Sequence, residues 1–172
     1  MPEKKEISLD HPSYPKYATI YSERGTEAKA SVLYFHGGGL LYGHREDLPD
    51  LHIRTLTHAG YIIISYDYPL APAAKLDTII GDVCSSITHY INNPELYCGQ
   101  KLPFFLWGRS AGAYLCLLAA ARGNLPQAPA GILSYYGYGF LCDNWFQTPS
   151  EYYRSLPAVD ASCLEQLSLI HI

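Results

Sequence analysis

No run of apolar residues in this chain is long enough to cross a bilayer, and no cluster of basic residues is dense enough to follow a phosphate backbone. The first absence argues against a membrane span. The second argues against nucleic acid as a partner. The five cysteines, Cys84, Cys98, Cys116, Cys142 and Cys163, are odd in number and scattered, with no C-x-x-C pair. Neither a disulfide framework nor a zinc site fits that spacing. Reduced, mostly buried thiols in a cytoplasmic protein are the expectation. The opening residues 1–6 are polar and mixed in charge, and no apolar stretch follows that reads as a signal peptide. Repeats and low-complexity linkers are also missing. The one glycine triplet lacks the Lys-Ser/Thr of a phosphate-binding loop, and no G-x-G-x-x-G occurs. No metal and no organic cofactor is therefore expected.

What is present fits one packed domain. The chain has 172 residues, 48% hydrophobic and 16% charged, with a net charge of −4, a composition that supports a real core. Tyr17 to Ser22 alternates weakly and predicts an early strand. Glu23 to Ala28 is a turn, and Ser31 to His36 a strong strand. Asp50 to His58 reads as a helix with Leu51, Ile53 and Leu56 apolar, closed by Gly60. Tyr61 to Tyr66 is nearly all apolar, as in a strand covered on both faces. Pro69 and Pro72 break it into a loop. Asp77 to Asn92 carries Ile79, Ile80, Val83, Ile87 and Ile91 on one helical face. Phe104 to Trp107 predicts a strand, Ala111 to Arg122 a helix stopped at Gly123, and Ile132 to Tyr136 another strand. Strands alternating with helices predict an α/β fold with a mostly parallel sheet covered on both faces.

Two motifs sit in this frame. Gly108-Arg109-Ser110-Ala111-Gly112 is a G-x-S-x-G pentapeptide between a strand and a helix, the setting of a nucleophile elbow. The serine there sits on a strained turn. Gly108, Ala111 and Gly112 keep its neighbourhood small, and the following helix points its positive end at the serine. His36-Gly37-Gly38-Gly39 follows the strand at Ser31 to Phe35. A glycine loop in that position can turn backbone N–H groups toward a substrate oxygen, because no Cβ stands in the way. Either motif alone also fits an ordinary tight turn or loop. Their order and matching contexts point together to acyl-transfer chemistry.

From about Val32 to about Tyr138 the chain resembles the hormone-sensitive-lipase-like branch of the α/β-hydrolases, which holds carboxylesterases, lipases and acyl deacetylases. Tyr66-Asp67-Tyr68-Pro69-Leu70-Ala71-Pro72 is similar to that branch's D-Y-R-L-A-P-E, with Pro69 in place of its arginine and Ala73 in place of its glutamate. Arg109 departs from the usual G-D-S-A-G. The resemblance implies an α/β-hydrolase fold and a serine hydrolase of small, neutral acyl esters. It assigns the nucleophile to Ser110 and the oxyanion-hole donors to the N–H groups of Gly38, Gly39 and Ala111. His36, Gly37, Gly108 and Gly112 become supports of the two motifs. The aromatic-rich residues 139–166, with Phe140, Trp145, Phe146, Tyr152 and Tyr153, correspond to a segment that contributes to the family's cap and acyl pocket. Plain packing over the sheet edge is the alternative. The same family includes hormone receptors without a working histidine, so an inactive ligand-binding protein is the second reading. A peptidase of the same fold is a third. Oligomeric state is left open by the sequence.

A serine nucleophile needs a base, and the base needs a carboxylate. In this fold they follow the serine in the order acid, then histidine. Beyond Ser110 the acids are Asp143, Glu151, Asp160 and Glu165, and His171 is the one histidine. Asp160 and His171 are too close in sequence to sit on loops after two successive parallel strands. His44, His52, His58 and His89 are expected far from Ser110, and His11 lies near the terminus, each solvent-facing or satisfied in a structural role. Residues 1–166 are therefore expected to be the N-terminal portion of a single hydrolase domain, incomplete at its C-terminal end. Residues 167–172 are expected to be a non-native tail, or else part of a helix beginning near Ser162.

Overall fold

A computed structural model describes residues 2–9, 14–139, 148, 151–157 and 162. Six strands form one sheet: β1 (Glu3–Leu9), β2 (Lys16–Ser22), β3 (Ala30–Phe35), β4 (Tyr61–Tyr66), β5 (Phe104–Arg109) and β6 (Gly131–Tyr135). Their order is β1-β2-β4-β3-β5-β6. β3, β4, β5 and β6 run parallel, while β2 is antiparallel to both β1 and β4. The helices are α1 (Asp50–His58), α2 (Leu76–Asn92), α3 (Pro94–Cys98), α4 (Ala111–Ala121) and α5 (Glu151–Arg154). No helix among the described residues is long and apolar enough to cross a membrane.

The two-residue period of a strand explains how both faces are filled. Leu33 and Phe35 of β3 pack with Ile64, Leu106 and residues of α2 and α4 on one face. Val32 and Tyr34 point the other way and join Ile63, Trp107 and Ile53 of α1. The central strands are thus apolar on both sides, which is why β4 reads as an almost unbroken apolar run.

The structure extends or revises several expectations. β1 is a strand although its sequence is polar. It pairs along its whole length with β2, and Lys4 and Glu6 reach Glu46 and Arg45 on the loop beyond β3. α3 was not foreseen: Pro94 starts it and Gly99, at φ 70°, stops it. Leu51, expected on the apolar face of α1, is 67% exposed, and Thr57 is buried instead. The cysteines are less buried than expected. Cys116 is buried, but Cys84 and Cys98 are half-exposed free thiols. Cys142, Cys163, His11, Asp143, Asp160, Glu165, His171, the aromatics Phe140, Trp145 and Phe146, and the 167–172 tail lie outside the described residues, as does the side chain of Tyr153.

Candidate active site

Parallel pairing brings the two motifs together. Phe35, at the end of β3, is in register with Gly108 in β5, so the loops that follow both strands leave the sheet side by side. Strand β5 runs on through Arg109, and the whole reversal into α4 is compressed at Ser110. Ser110 has φ 52° and ψ −118°, a left-handed conformation that costs a non-glycine residue about 1–3 kcal/mol. Its N–H donates to the Tyr135 carbonyl of β6 at 2.8 Å, and its own carbonyl accepts from Tyr114 N–H at 3.1 Å. Both ends of the turn are therefore tied down.

The glycines on either side of Ser110 are set by close approach. A Cβ on Gly108 would lie 2.2 Å from the Gly112 carbonyl carbon. A Cβ on Gly112 would lie 2.1 Å from the Phe35 carbonyl oxygen and 2.4 Å from that of His36. Strand, turn and helix thus touch through bare backbone. Gly37 comes nearest to the serine across the gap: a Cβ there would stand 3.4 Å from the Ser110 Cβ.

The glycine loop is held from below. His36 is fully buried, with its ring stacked on Tyr68 at 4.1 Å. The Tyr68 hydroxyl donates to the His36 carbonyl at 2.8 Å. The Tyr66–Pro72 segment therefore supports the loop directly. His36 Nδ1 is 2.7 Å from the Gly37 carbonyl. A carbonyl can only accept, so Nδ1 carries the proton. Nε2 is then bare, buried and without a partner among the described residues. Burial lowers the His36 pKa, outweighing the Gly37 hydrogen bond. Farther along the loop, Arg45 bonds Asp67 through its backbone N–H and its guanidinium, and also reaches Thr19.

Between the loops lies a cleft of about 420 Å³, lined by Tyr34, Gly37, Gly38, Tyr42, Asp47, Arg109, Ser110 and Tyr136. Ser110, Gly37 and Gly38 thus share one cavity. Gly39 is exposed and Ala111 buried, and neither lines it. The N–H groups of Gly38, Gly39 and Ala111 donate to no backbone carbonyl among the described residues. No histidine among the described residues borders the cleft, and the Asp47 carboxylate on its rim is engaged by His44. His52 is not the satisfied or solvent-facing residue expected. Its Nδ1 is buried without a partner among the described residues, and its ring packs edge-on against Trp107 and Tyr135. The sequence marks Arg109 only as a departure from the usual G-D-S-A-G and carries no signal at Tyr34. Both line the cleft. The alternation of β3 and β5 puts them on one face, since Tyr34 is in register with Trp107, two residues before Arg109.

A model of a family described as alpha/beta hydrolase fold matches residues 32–166. An alpha/beta hydrolase superfamily protein of Enterococcus faecalis is 32% identical, with a TM-score of 0.75 over 93% of this chain and 55% of its own. A Pyrobaculum calidifontis esterase is 25% identical, with a TM-score of 0.69 over 78% of this chain and 45% of its own. Lipase 2 of a Moraxella species is 27% identical over 105 residues, 61% of this chain and 24% of that protein. The chain therefore spans about half the length of these solved structures and about a quarter of the lipase.

Proposed function

The chain belongs to the alpha/beta hydrolase fold family, and from that premise we propose that it carries the nucleophile and oxyanion hole of a serine hydrolase acting on small acyl esters. The observation that carries the reading is the conformation of Ser110, strained at φ 52° at the start of α4 and facing the Gly37–Gly38 backbone across one cleft. Such strain persists only where the surroundings enforce it.

In this reading the Ser110 Oγ attacks the ester carbonyl carbon and gives its proton to a base. The carbonyl oxygen becomes an oxyanion and accepts hydrogen bonds from the N–H groups of Gly38, Gly39 and Ala111. Collapse of that intermediate expels the alcohol and leaves an acyl group on Ser110, which water then removes. Gly37, Gly108 and Gly112 allow the close approach, and His36 orders the loop as a neutral side chain. Each oxyanion donor is worth roughly 10²–10³ in rate. The similarity to an esterase and a lipase supports an ester as the substrate. The chemistry needs no cofactor.

The base and its carboxylate are not among the described residues that line the cleft. This 172-residue chain is accordingly expected to turn over very slowly, because loss of triad members leaves only the roughly 10³–10⁴-fold residue of catalysis from the oxyanion hole and binding. The test is acylation by p-nitrophenyl acetate, with the acetyl group located by peptide mass mapping. Slow, stoichiometric acetylation at Ser110 that disappears in Ser110→Ala supports the assignment. Acetylation elsewhere, or none, refutes it. That no histidine among the described residues lines the cleft also supports a second reading, ligand binding without chemistry. Tight small-molecule binding that is indifferent to Ser110→Ala would identify that case.

A further inference from the structure

The cleft holds a cation that the ester chemistry does not use. Arg109 donates through Nε to the Tyr136 hydroxyl at 2.8 Å and through Nη1 to the Asp47 carbonyl at 3.2 Å. Both acceptors are neutral. They fix the guanidinium plane, and among the described residues no carboxylate pairs with its charge, the Tyr34 hydroxyl being its other close neighbour. The nearest acid on the rim, Asp47, is turned to His44, whose N–H and Nε2 lie 2.9 and 3.0 Å from its two oxygens.

A second observation points the same way. Tyr34 is fully buried and lines the cleft, and its hydroxyl oxygen neighbours the Arg109 guanidinium closely enough for that charge to pull its pKa downward, while its O–H proton finds no acceptor among the described residues. Burial pushes its pKa up to about 12 even though Arg109 pulls it down, so the phenol keeps its proton and remains a donor. A buried hydroxyl proton without an acceptor is costly, and of the buried polar side chains in that state only Tyr34 lines the cleft. Here it sits on the same sheet face as the uncompensated guanidinium and beside the serine. Two donors, one of them charged, suit an oxyanion such as a carboxylate.

We propose that Arg109 and Tyr34 form an anion subsite, so that the ester this cleft accepts carries a carboxylate on the same molecule as its scissile carbonyl. This rests on the reading of the cleft as an ester site, and it replaces the small neutral ester expected from sequence with an acid-bearing one.

The test is a binding measurement and does not depend on turnover. Monomethyl succinate and its neutral counterpart methyl 4-oxopentanoate would be titrated into this chain, following the amide signals of Gly37, Gly38 and Ser110 by NMR. The anionic ester is expected to bind at least about ten-fold more tightly. Arg109→Gln is expected to bring the ratio to about one, and Tyr34→Phe to reduce it about three-fold or more. Tyr34→Phe removes only the hydroxyl and keeps the ring, so it stays folded if the arginine variant does not. Equal affinities, a ratio that survives Arg109→Gln, or no shift with either ester would overturn the subsite. Failure of Ser110 acetylation with the ratio intact would instead refute the hydrolase and leave the anion site standing.

Discussion

Gly112 and Gly39 are both glycines of the candidate site, yet different forces hold them there. At Gly112 any side chain would strike the carbonyl oxygens of Phe35 and His36, which belong to a central strand and its exit loop and cannot step aside. Gly112→Ala should therefore cost about 3 kcal/mol or more, lowering the melting temperature by roughly 6 °C or more. At Gly39 a Cβ would meet nothing within 4 Å, but φ is 62°. The penalty of Gly39→Ala is then confined to left-handed backbone, about 1 kcal/mol. Thermal melts of the two variants test this contrast, and equal losses would contradict it. His36 supplies a pH prediction at the same scale. Its pKa is lowered in the fold, so below about pH 6.5 the unfolded chain takes up a proton that the native one refuses. Its contribution is fully present above that pH and is lost as the pH falls toward the folded pKa. An imidazole NMR titration should show His36 still neutral and protonated at Nδ1 when exposed histidines have charged. Titration at the ordinary value would refute the buried tautomer.

Strand β2 and helix α2 are joined by a buried ion pair. Lys16 Nζ lies 2.5 Å from Asp82 Oδ2 and 2.6 Å from Ser86 Oγ, and Tyr14 donates its hydroxyl to the same carboxylate. Both charged side chains are 3% exposed. Removing one partner strands the other in the interior, so Lys16→Met should cost about 3–5 kcal/mol, while Lys16→Met with Asp82→Leu should recover most of it. Urea unfolding midpoints of the single and double variants decide the matter, and a double variant no better than the single would refute the account. No sequence pattern announced this pair, because its members are 66 positions apart. The elements that were legible are those whose own periodicity is set by burial: α1 and β4 match their expected bounds, and β3, α2 and α4 differ by one residue at one or both ends. β1 was not legible because four of its seven residues are charged and only Ile7 and Leu9, at its end, turn an apolar side to the core. Backbone pairing and ion pairs to the next loop define it, and both are tertiary. The site divides in the same way. The strained turn at Ser110 and the close approaches at Gly108 and Gly112 were readable because backbone geometry restricts which residues can stand there. Arg109 and Tyr34 were not, since their meeting depends on the register of β5 against β3.

At the scale of the whole sheet, β6 leaves an edge that, among the described residues, surface chemistry does little to protect. β6 pairs with β5 on one side and, among the described residues, with nothing on the other. Its later residues are exposed, and Tyr135, Tyr136 and Tyr138 stand 40%, 69% and 42% accessible beside it. Proteins blunt such edges with charge, proline or cover, whereas Gly131–Tyr135 has neither a charged residue nor a proline. A net charge of −4 over 172 residues offers only weak repulsion between copies. This chain should therefore self-associate as its concentration rises. Light scattering between about 10 and 200 μM is expected to show growing mass, with strand-edge pairing as the cause. Ser134→Lys places a charge on the exposed edge without touching the Tyr135 carbonyl that holds Ser110. It should shift the chain toward monomer and leave its melting temperature within about 2 °C. A chain that stays monomeric across that range would mean the edge is covered by residues beyond those described. Association unchanged by Ser134→Lys would move the contact elsewhere on the surface.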